Sequence, residues 1–260
     1  MRAAGMLVAV LPTLLAGLPA RGLADQAPMS APPRLKTTVV RSYPHDRMAF
    51  TQGLIWRDGL LYESTGLVGR SSLRKVDLAT GSVKQQVAVP DPYFAEGLAD
   101  VGNRLFQLTW QHGRVFVYDK NTFNRVGELG YQGEGWGLCH DGRALVMSDG
   151  SDALTVRAPD TFAITRTVRV TQVGRPLERI NELECVGGDV YANVWMTDSI
   201  VRIDMKSGQV NATMDASGLL TPAERQGTDV LNGIAYDPAD RTFLITGKLW
   251  PKLFRVKFEP

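Results

Sequence analysis

The chain has 260 residues, 44% of them hydrophobic and 22% charged, with a formal net charge of +2. That is apolar material enough for a full core, which excludes a disordered or fibrous chain. The near balance of charge leaves no footprint for nucleic acid or another polyanion.

In chain order, the first segment differs from all the others. Arg2 supplies a positive start, Met6 to Leu18 is an apolar run broken by Pro12 and small residues, and Leu18-Pro19-Ala20 or Gly22-Leu23-Ala24 offers a small-residue cleavage site. The run is well short of the ~20 residues a spanning helix needs, so residues 1–24 are expected to be a secretory signal peptide. Taking Arg2 and Arg21 from the 29 basic residues leaves 27 against 27 acidic ones. The protein is expected to be exported, periplasmic or secreted, with no membrane contact after processing. Residues 25–35 are proline-rich and read as a linker, and residues 36–260 as a single domain. A monomer is the default expectation.

Beyond the linker, short alternating or β-branched runs bounded by Gly, Asn and Asp follow one another without a sustained helical period. The first, Lys36 to Ser42, has no partner of its own. Five units follow, opened by Gln52-Gly53-Leu54, Glu96-Gly97-Leu98, Trp136-Gly137-Leu138, Asn181-Glu182-Leu183 and Asn232-Gly233-Ile234, at spacings of 44, 40, 45 and 51 residues. Each triplet leads through a turn such as Asp58-Gly59 or Asp141-Gly142, pairs that favour tight hairpins. The second strands are Leu60 to Glu63, Arg104 to Trp110, Ala144 to Ser148, Val190 to Trp195 and Thr242 to Gly247. Further hairpins, with tips at Thr80-Gly81, Asn121-Thr122, Asp160-Thr161 and Ser207-Gly208, complete the first four units. Four strands per roughly 40–50 residues is the repeat of a propeller blade, and the shorter repeats of a β-solenoid fit less well. The expected fold is all-β, a five-bladed β-propeller. Leu253 to Phe258 ends the fifth unit one strand short, and Lys36 to Ser42 is expected to close the ring in that last blade.

In a propeller the first strand of each blade lines the central channel, so Gln52, Glu96, Trp136, Asn181 and Asn232 are expected to converge at one mouth. The start of a first strand lies beside the end of the second, which adds Ser64 or Thr65, Trp110, Asp149, Trp195 and Lys248. Aromatic walls around a few convergent polar groups are the makings of a small-molecule site. Inner-strand amides and tryptophans can also be purely structural, Asn232 above all. A glutamate in an apolar channel is harder to explain that way, because burying its charge unpaired is costly. Glu96 is therefore the leading functional candidate.

Other chemistries find no pattern. His45, His112 and His140 lack paired metal-ligand spacing, and neither a Gly-x-Ser-x-Gly elbow nor a phosphate loop is present. No metal or other cofactor is expected. Asp119, Asp149, Asp198 and Asp237 read as turn or strand-end residues rather than calcium ligands. Cys139 and Cys185 can form one bridge in an oxidising compartment or stay two buried thiols, and geometry decides between them.

Eight motifs in order carry a resemblance over about residues 40–257: Phe50-Thr51-Gln52-Gly53-Leu54, Glu63-Ser64-Thr65-Gly66-Leu67, Phe94-Ala95-Glu96-Gly97-Leu98, Gly135-Trp136-Gly137-Leu138, Ser148-Asp149-Gly150, Asn181-Glu182-Leu183-Glu184, Leu231-Asn232-Gly233-Ile234 and Gly247-Lys248-Leu249-Trp250-Pro251. The chain resembles the plant-type glutaminyl cyclotransferases. That resemblance implies a five-bladed propeller that converts N-terminal glutamine of peptides or proteins to pyroglutamate and ammonia, without the zinc of the animal-type enzymes. It implies Glu96 as acid/base, Gln52, Asn181 and Lys248 as polar catalytic contacts, and Phe50, Phe94, Trp110, Trp136 and Trp195 as the aromatic substrate pocket. The chain departs from the family pattern at Val68, Arg47 and Ala158, where Tyr, Pro and Asp are usual; the first bears on the pocket rim and the others on turns.

The implied chemistry fits the residues. The substrate's α-amine loses a proton as it attacks its own carboxamide, and the leaving nitrogen gains one. One carboxylate can serve both steps, while Lys248, Gln52 and Asn181 are donors for the developing oxyanion. Two other classes compete. A propeller hydrolase or lactonase would gather several carboxylates on a metal, and a non-catalytic peptide-binding propeller would tolerate loss of Glu96.

Overall fold

The computed structural model describes Met1 and residues 30–260, so the expected signal peptide, Met1 apart, lies outside the described residues. Every regular element among them is a strand. β1 (Arg34–Pro44) begins two residues inside the stretch read as linker. The first sheet is β2 (Thr51–Arg57), β3 (Leu60–Thr65), β4 (Ser72–Val76) and β5 (Val83–Ala88), antiparallel and in that order. The second is β6 (Ala95–Val101), β7 (Arg104–Thr109), β8 (Arg114–Asp119) and β9 (Arg125–Gly130). The third is β10 (Leu138–His140), β11 (Leu145–Met147), β12 (Ala153–Arg157) and β13 (Ile164–Arg169).

A short hairpin, β14 (Thr171–Gln172) with β15 (Arg175–Pro176), leads into a larger sheet. One half of it is β16 (Ile180–Val186), β17 (Asp189–Val194), β18 (Ser199–Asp204) and β19 (Val210–Asp215). The other half is β20 (Leu231–Asp237), β21 (Thr242–Gly247) and β22 (Lys252–Glu259), with β1 antiparallel to β22 along its edge. β1 also runs parallel to β19, Arg34–Lys36 opposite Thr213–Asp215, which fuses the two halves into eight strands. The repeat does not foretell this join, because residues ahead of the first repeat make it, Arg34 pairing with Asp215.

In the first three units burial falls from the first strand to the last. Thr51 to Ile55 in β2 are all buried, whereas β5, β9 and β13 are largely exposed. The apolar core accordingly divides into five clusters, one between each neighbouring pair of units. Ile55 and Leu73 meet Leu98 and Phe116; Phe106 and Val115 meet Leu138 and Met147; Val146 and Leu154 meet Leu183 and Val190. Ile200 and Met214 meet Ile234 and Phe254, and Leu244 and Leu253 meet Leu54 and Leu61 of the first unit. The fold is all-β and propeller-like.

The glycine of each triplet is a requirement of this packing. Gly97 N–H donates to Trp136 O at 2.7 Å, and a Cβ there would stand 2.5 Å from Leu138 N. A Cβ on Gly53 would meet Leu98 N at the same distance, and one on Gly137 would lie 2.1 Å from Asn181 O. Where the fourth triplet has Glu182 instead, its side chain crosses to other first strands. Oε1 accepts from Leu54 N–H at 3.1 Å and Oε2 from Ile234 N–H at 2.8 Å. Burial, with Glu184 adding to it, holds the Glu182 carboxyl well above the usual range despite those donors. Cys139 of β10 and Cys185 of β16 form a disulfide with Cα atoms 5.5 Å apart, which ties the strands that follow Trp136 and Asn181.

Candidate active site

Four of the five residues that open the triplets sit at irregularities of the β-ladder, and Trp136 lies just ahead of its strand. Thr51 pairs with Thr65 and Gly53 with Ser64, so Gln52 is the extra residue. Ala95 pairs with Thr109 and Leu98 with Gln107, which sets Glu96 and Gly97 outside the regular register. The same break falls at Asn181 and Glu182 and again at Asn232 and Gly233. A β-bulge re-aims side chains. Here it presents successive polar residues to one end of the molecule.

That end holds a cavity of about 460 Å³ lined by Phe50, Gln52, Phe94, Glu96, Trp110, Trp136, Asn181, Trp195, Met196, Asp229 and Lys248. All nine residues to which the resemblance gives a place in the site are among them. Asn232, Ser64, Thr65 and Asp149 are not, and each has a supporting place instead. Asn232 Nδ2 donates to Gln52 Oε1 at 3.2 Å and to Thr51 O at 3.0 Å. Ser64 Oγ donates to the Glu96 carbonyl at 2.5 Å, Thr65 Oγ1 meets Ser72 Oγ at 2.7 Å, and Asp149 caps Ser151 N–H at 3.0 Å. Glu63, from the same motif as Ser64, lies behind the site, where it accepts from Thr51 Oγ1 at 2.7 Å and pairs with His45 at 3.0 Å.

At the base, Gln52 Nε2 donates to Glu96 Oε1 at 2.9 Å. With Asn232 behind it, this makes a chain of three side chains that ends on the carboxyl and fixes which way the Gln52 amide points. Burial pushes the Glu96 carboxyl well above the usual carboxylate range; Lys248 works against that and Glu134 with it. Burial likewise pushes Lys248 down, opposed by the charges of Glu96 and Asp229. The two shifts share one cause, since burial disfavours the charged form of each group. Lys248 Nζ stands over the Phe50 ring, 4.8 Å from its centroid. Asn181 is buried, and its Oδ1 has no hydrogen-bond partner among the described residues.

Edge-to-face contacts set the walls. Phe94 meets Phe50 at 6.0 Å and Trp110 at 5.8 Å between centroids, and Trp136 meets Trp195 at 5.5 Å. Two indoles are anchored by a residue the sequence did not single out. Glu134 Oε2 accepts from Trp110 Nε1 at 2.8 Å and Trp136 Nε1 at 2.9 Å, while Oε1 takes Gln111 Nε2 at 2.9 Å. Burial works to raise its pKa, yet these bonds hold the carboxyl below the usual range. Glu134 lies in the turn Gly133-Glu134-Gly135, outside any strand register. Met196 and Asp229, likewise from connections, complete the rim.

A buried carboxyl and a lysine under aromatic walls, in a propeller-like all-β frame, make a pocket suited to a small polar group. The sequence profile described as "Glutamine cyclotransferase" matches residues 10–258. The chain is 44% identical over 227 residues to the glutaminyl-peptide cyclotransferase of Arabidopsis thaliana, a match that covers 85% of this chain and 71% of that one. The crystal structure of Myxococcus xanthus glutaminyl cyclase aligns with a TM-score of 0.79 at 41% identity, covering 88% of this chain and 98% of that one. The chain belongs to the glutamine cyclotransferase family.

Proposed function

We propose that the protein cyclises N-terminal glutamine of peptides and proteins to pyroglutamate with release of ammonia, and that Glu96 moves the proton. The observation that carries this is the Asn232, Gln52, Glu96 chain, which ends on a buried carboxyl next to Lys248 and the unpartnered Asn181 Oδ1.

The neutral α-nitrogen attacks the side-chain carboxamide carbon, forming the ring bond. Glu96, protonated because it is buried, gives its proton to the amide nitrogen. The carbon–nitrogen bond to that group breaks as the carbonyl re-forms, ammonia leaves, and the carboxylate recovers a proton from the ring nitrogen. No water is consumed. Such acid–base help supplies about 10²- to 10⁴-fold. Lys248, the second amide hydrogen of Gln52 and the Asn181 amide nitrogen are the donors suited to the oxyanion. The aromatic walls hold the side chain folded toward its own amine, which lowers the entropic cost of closure.

We read residues 36–260 as one five-bladed propeller with β1 as the closing strand of the last blade. In favour stand the five inter-unit clusters and the pairing of β1 with β22. Export to an oxidising compartment is favoured by the signal-like start and the Cys139–Cys185 bridge.

The test follows ammonia and pyroglutamyl product from a glutamine-initiated peptide, with and without a chelator. Product is expected in both arms and none from an asparagine-initiated peptide, whose ring would be smaller and strained. No ammonia from the glutamine peptide would overturn the proposal.

A further inference from the structure

A second cavity adjoins the rim of the catalytic one. Met196 and Asp229 line both, and the second, of about 400 Å³, is bounded further by Thr197, Asp198, Arg225 and Thr228. Met196, just after β17, is 59% exposed, and a flexible thioether there can adapt to varied side chains. The charges of this groove are nearly matched. Arg225 pairs with Asp198 at 3.0 Å, and nearby Glu224 pairs with Lys252, which leaves Asp229 as the carboxylate without an ion-pair partner among the described residues. Val230 N–H, 2.6 Å from Asp229 Oδ1, fixes the direction of that carboxylate.

We propose that the second cavity holds the residues that follow the N-terminal glutamine of the substrate, and that Asp229 favours lysine or arginine over an acidic residue in second position. The proposal rests on the cyclisation reading above. In that reaction the glutamine side chain and α-amine turn inward to Glu96 and to each other. The α-carbonyl and the chain beyond it must therefore leave through the mouth, and the second cavity shares Met196 and Asp229 with that mouth. The Asp198–Arg225 pair cancels within itself, so among the groove's own residues the net field on a second side chain is that of Asp229, offset in part by Lys248 across the catalytic cavity. Rim charges act weakly and are screened by salt, so the effect is roughly two- to fivefold at low ionic strength.

The experiment compares kcat/KM for Gln-Lys-Ala-Ala, Gln-Glu-Ala-Ala and glutaminamide, which lacks a following residue, at low and high salt. It uses the wild type, Asp229→Asn and the groove-filling Thr228→Trp. The wild type is expected to prefer the lysine peptide over the glutamate peptide about two- to fivefold at low salt, and less at high salt. In Asp229→Asn that ratio falls towards one whatever the absolute rates, and Thr228→Trp lowers the rate on tetrapeptides relative to glutaminamide. Equal wild-type rates on the two tetrapeptides, or an unchanged ratio in Asp229→Asn, would overturn the proposal. Absence of ammonia from every substrate, glutaminamide included, would overturn the cyclisation reading and this proposal with it.

Discussion

Gln52 Nε2 donates to Glu96 Oε1 at 2.9 Å, joining residues that are 44 apart in sequence and stand on two different inner strands. Neither group is free to turn, because Asn232 holds the Gln52 carbonyl and the bulges fix both backbones. The carboxyl is thus presented in one orientation, in a setting that favours its protonated form.

Holding that carboxyl has a cost that depends on pH. Burial raises the folded pKa of Glu96, Glu182 and Glu184 above the unfolded value of about 4.3, in Glu184 to about 8. Each therefore binds more protons folded than unfolded, so stability is greatest below about pH 4.3 and falls as pH rises through the folded pKa. Glu63 runs the other way. Its burial is outweighed by His45, Arg74 and Thr51, so its pKa is lowered and its contribution is lost only as pH falls through that lowered value. Glu96→Gln is expected to raise Tm over the wild type by on the order of 5 °C at pH 9 and hardly at all at pH 4.5. Scanning calorimetry at both pH values checks this, and a difference that does not vary with pH would contradict it.

Glu134 positions the aromatic wall without lying in it. Glu134→Ala removes the shared acceptor of Trp110 and Trp136, a loss of about 1.5 kcal/mol in substrate binding and hence a KM raised roughly tenfold. kcat should change much less, since Glu96 and Lys248 stay in place. Steady-state kinetics beside tryptophan emission decides the matter: a lower kcat with KM and emission unchanged would show that the indoles do not depend on Glu134.

The disulfide ties β10 to β16 across a loop of 46 residues. Cys139→Ala with Cys185→Ala is expected to cost about 2–4 kcal/mol, or on the order of 10 °C in Tm. Thermal melts of both forms test it. An equal Tm would mean that the bridge adds nothing to the packing already present.

The all-β class and the five units were legible because the triplets recur at nearly regular intervals and the second strands follow at hairpin distance. Seven of the residues that line the cavity were legible for the same reason, since the first position of each triplet and the end of each second strand recur in phase, whereas Phe50 and Phe94 came from the resemblance alone. Three things were not. The join of β1 to β19 depends on Arg34 and its neighbours, which lie outside the repeat. Glu134, Met196 and Asp229 sit in connections, where no strand register assigns a direction to a side chain. The supporting role of Asn232 was anticipated, but not its partners Gln52 and Thr51, because a strand register does not say which neighbour an amide reaches.

The account turns on Glu96 as proton carrier, and the most direct measurement compares single-turnover conversion of one glutamine-initiated peptide by the wild type and by Glu96→Gln, with binding followed in parallel by tryptophan emission. The variant is expected to bind the peptide with similar affinity and to form pyroglutamate about 10²- to 10⁴-fold more slowly. Conversion at the wild-type rate by Glu96→Gln would contradict the account.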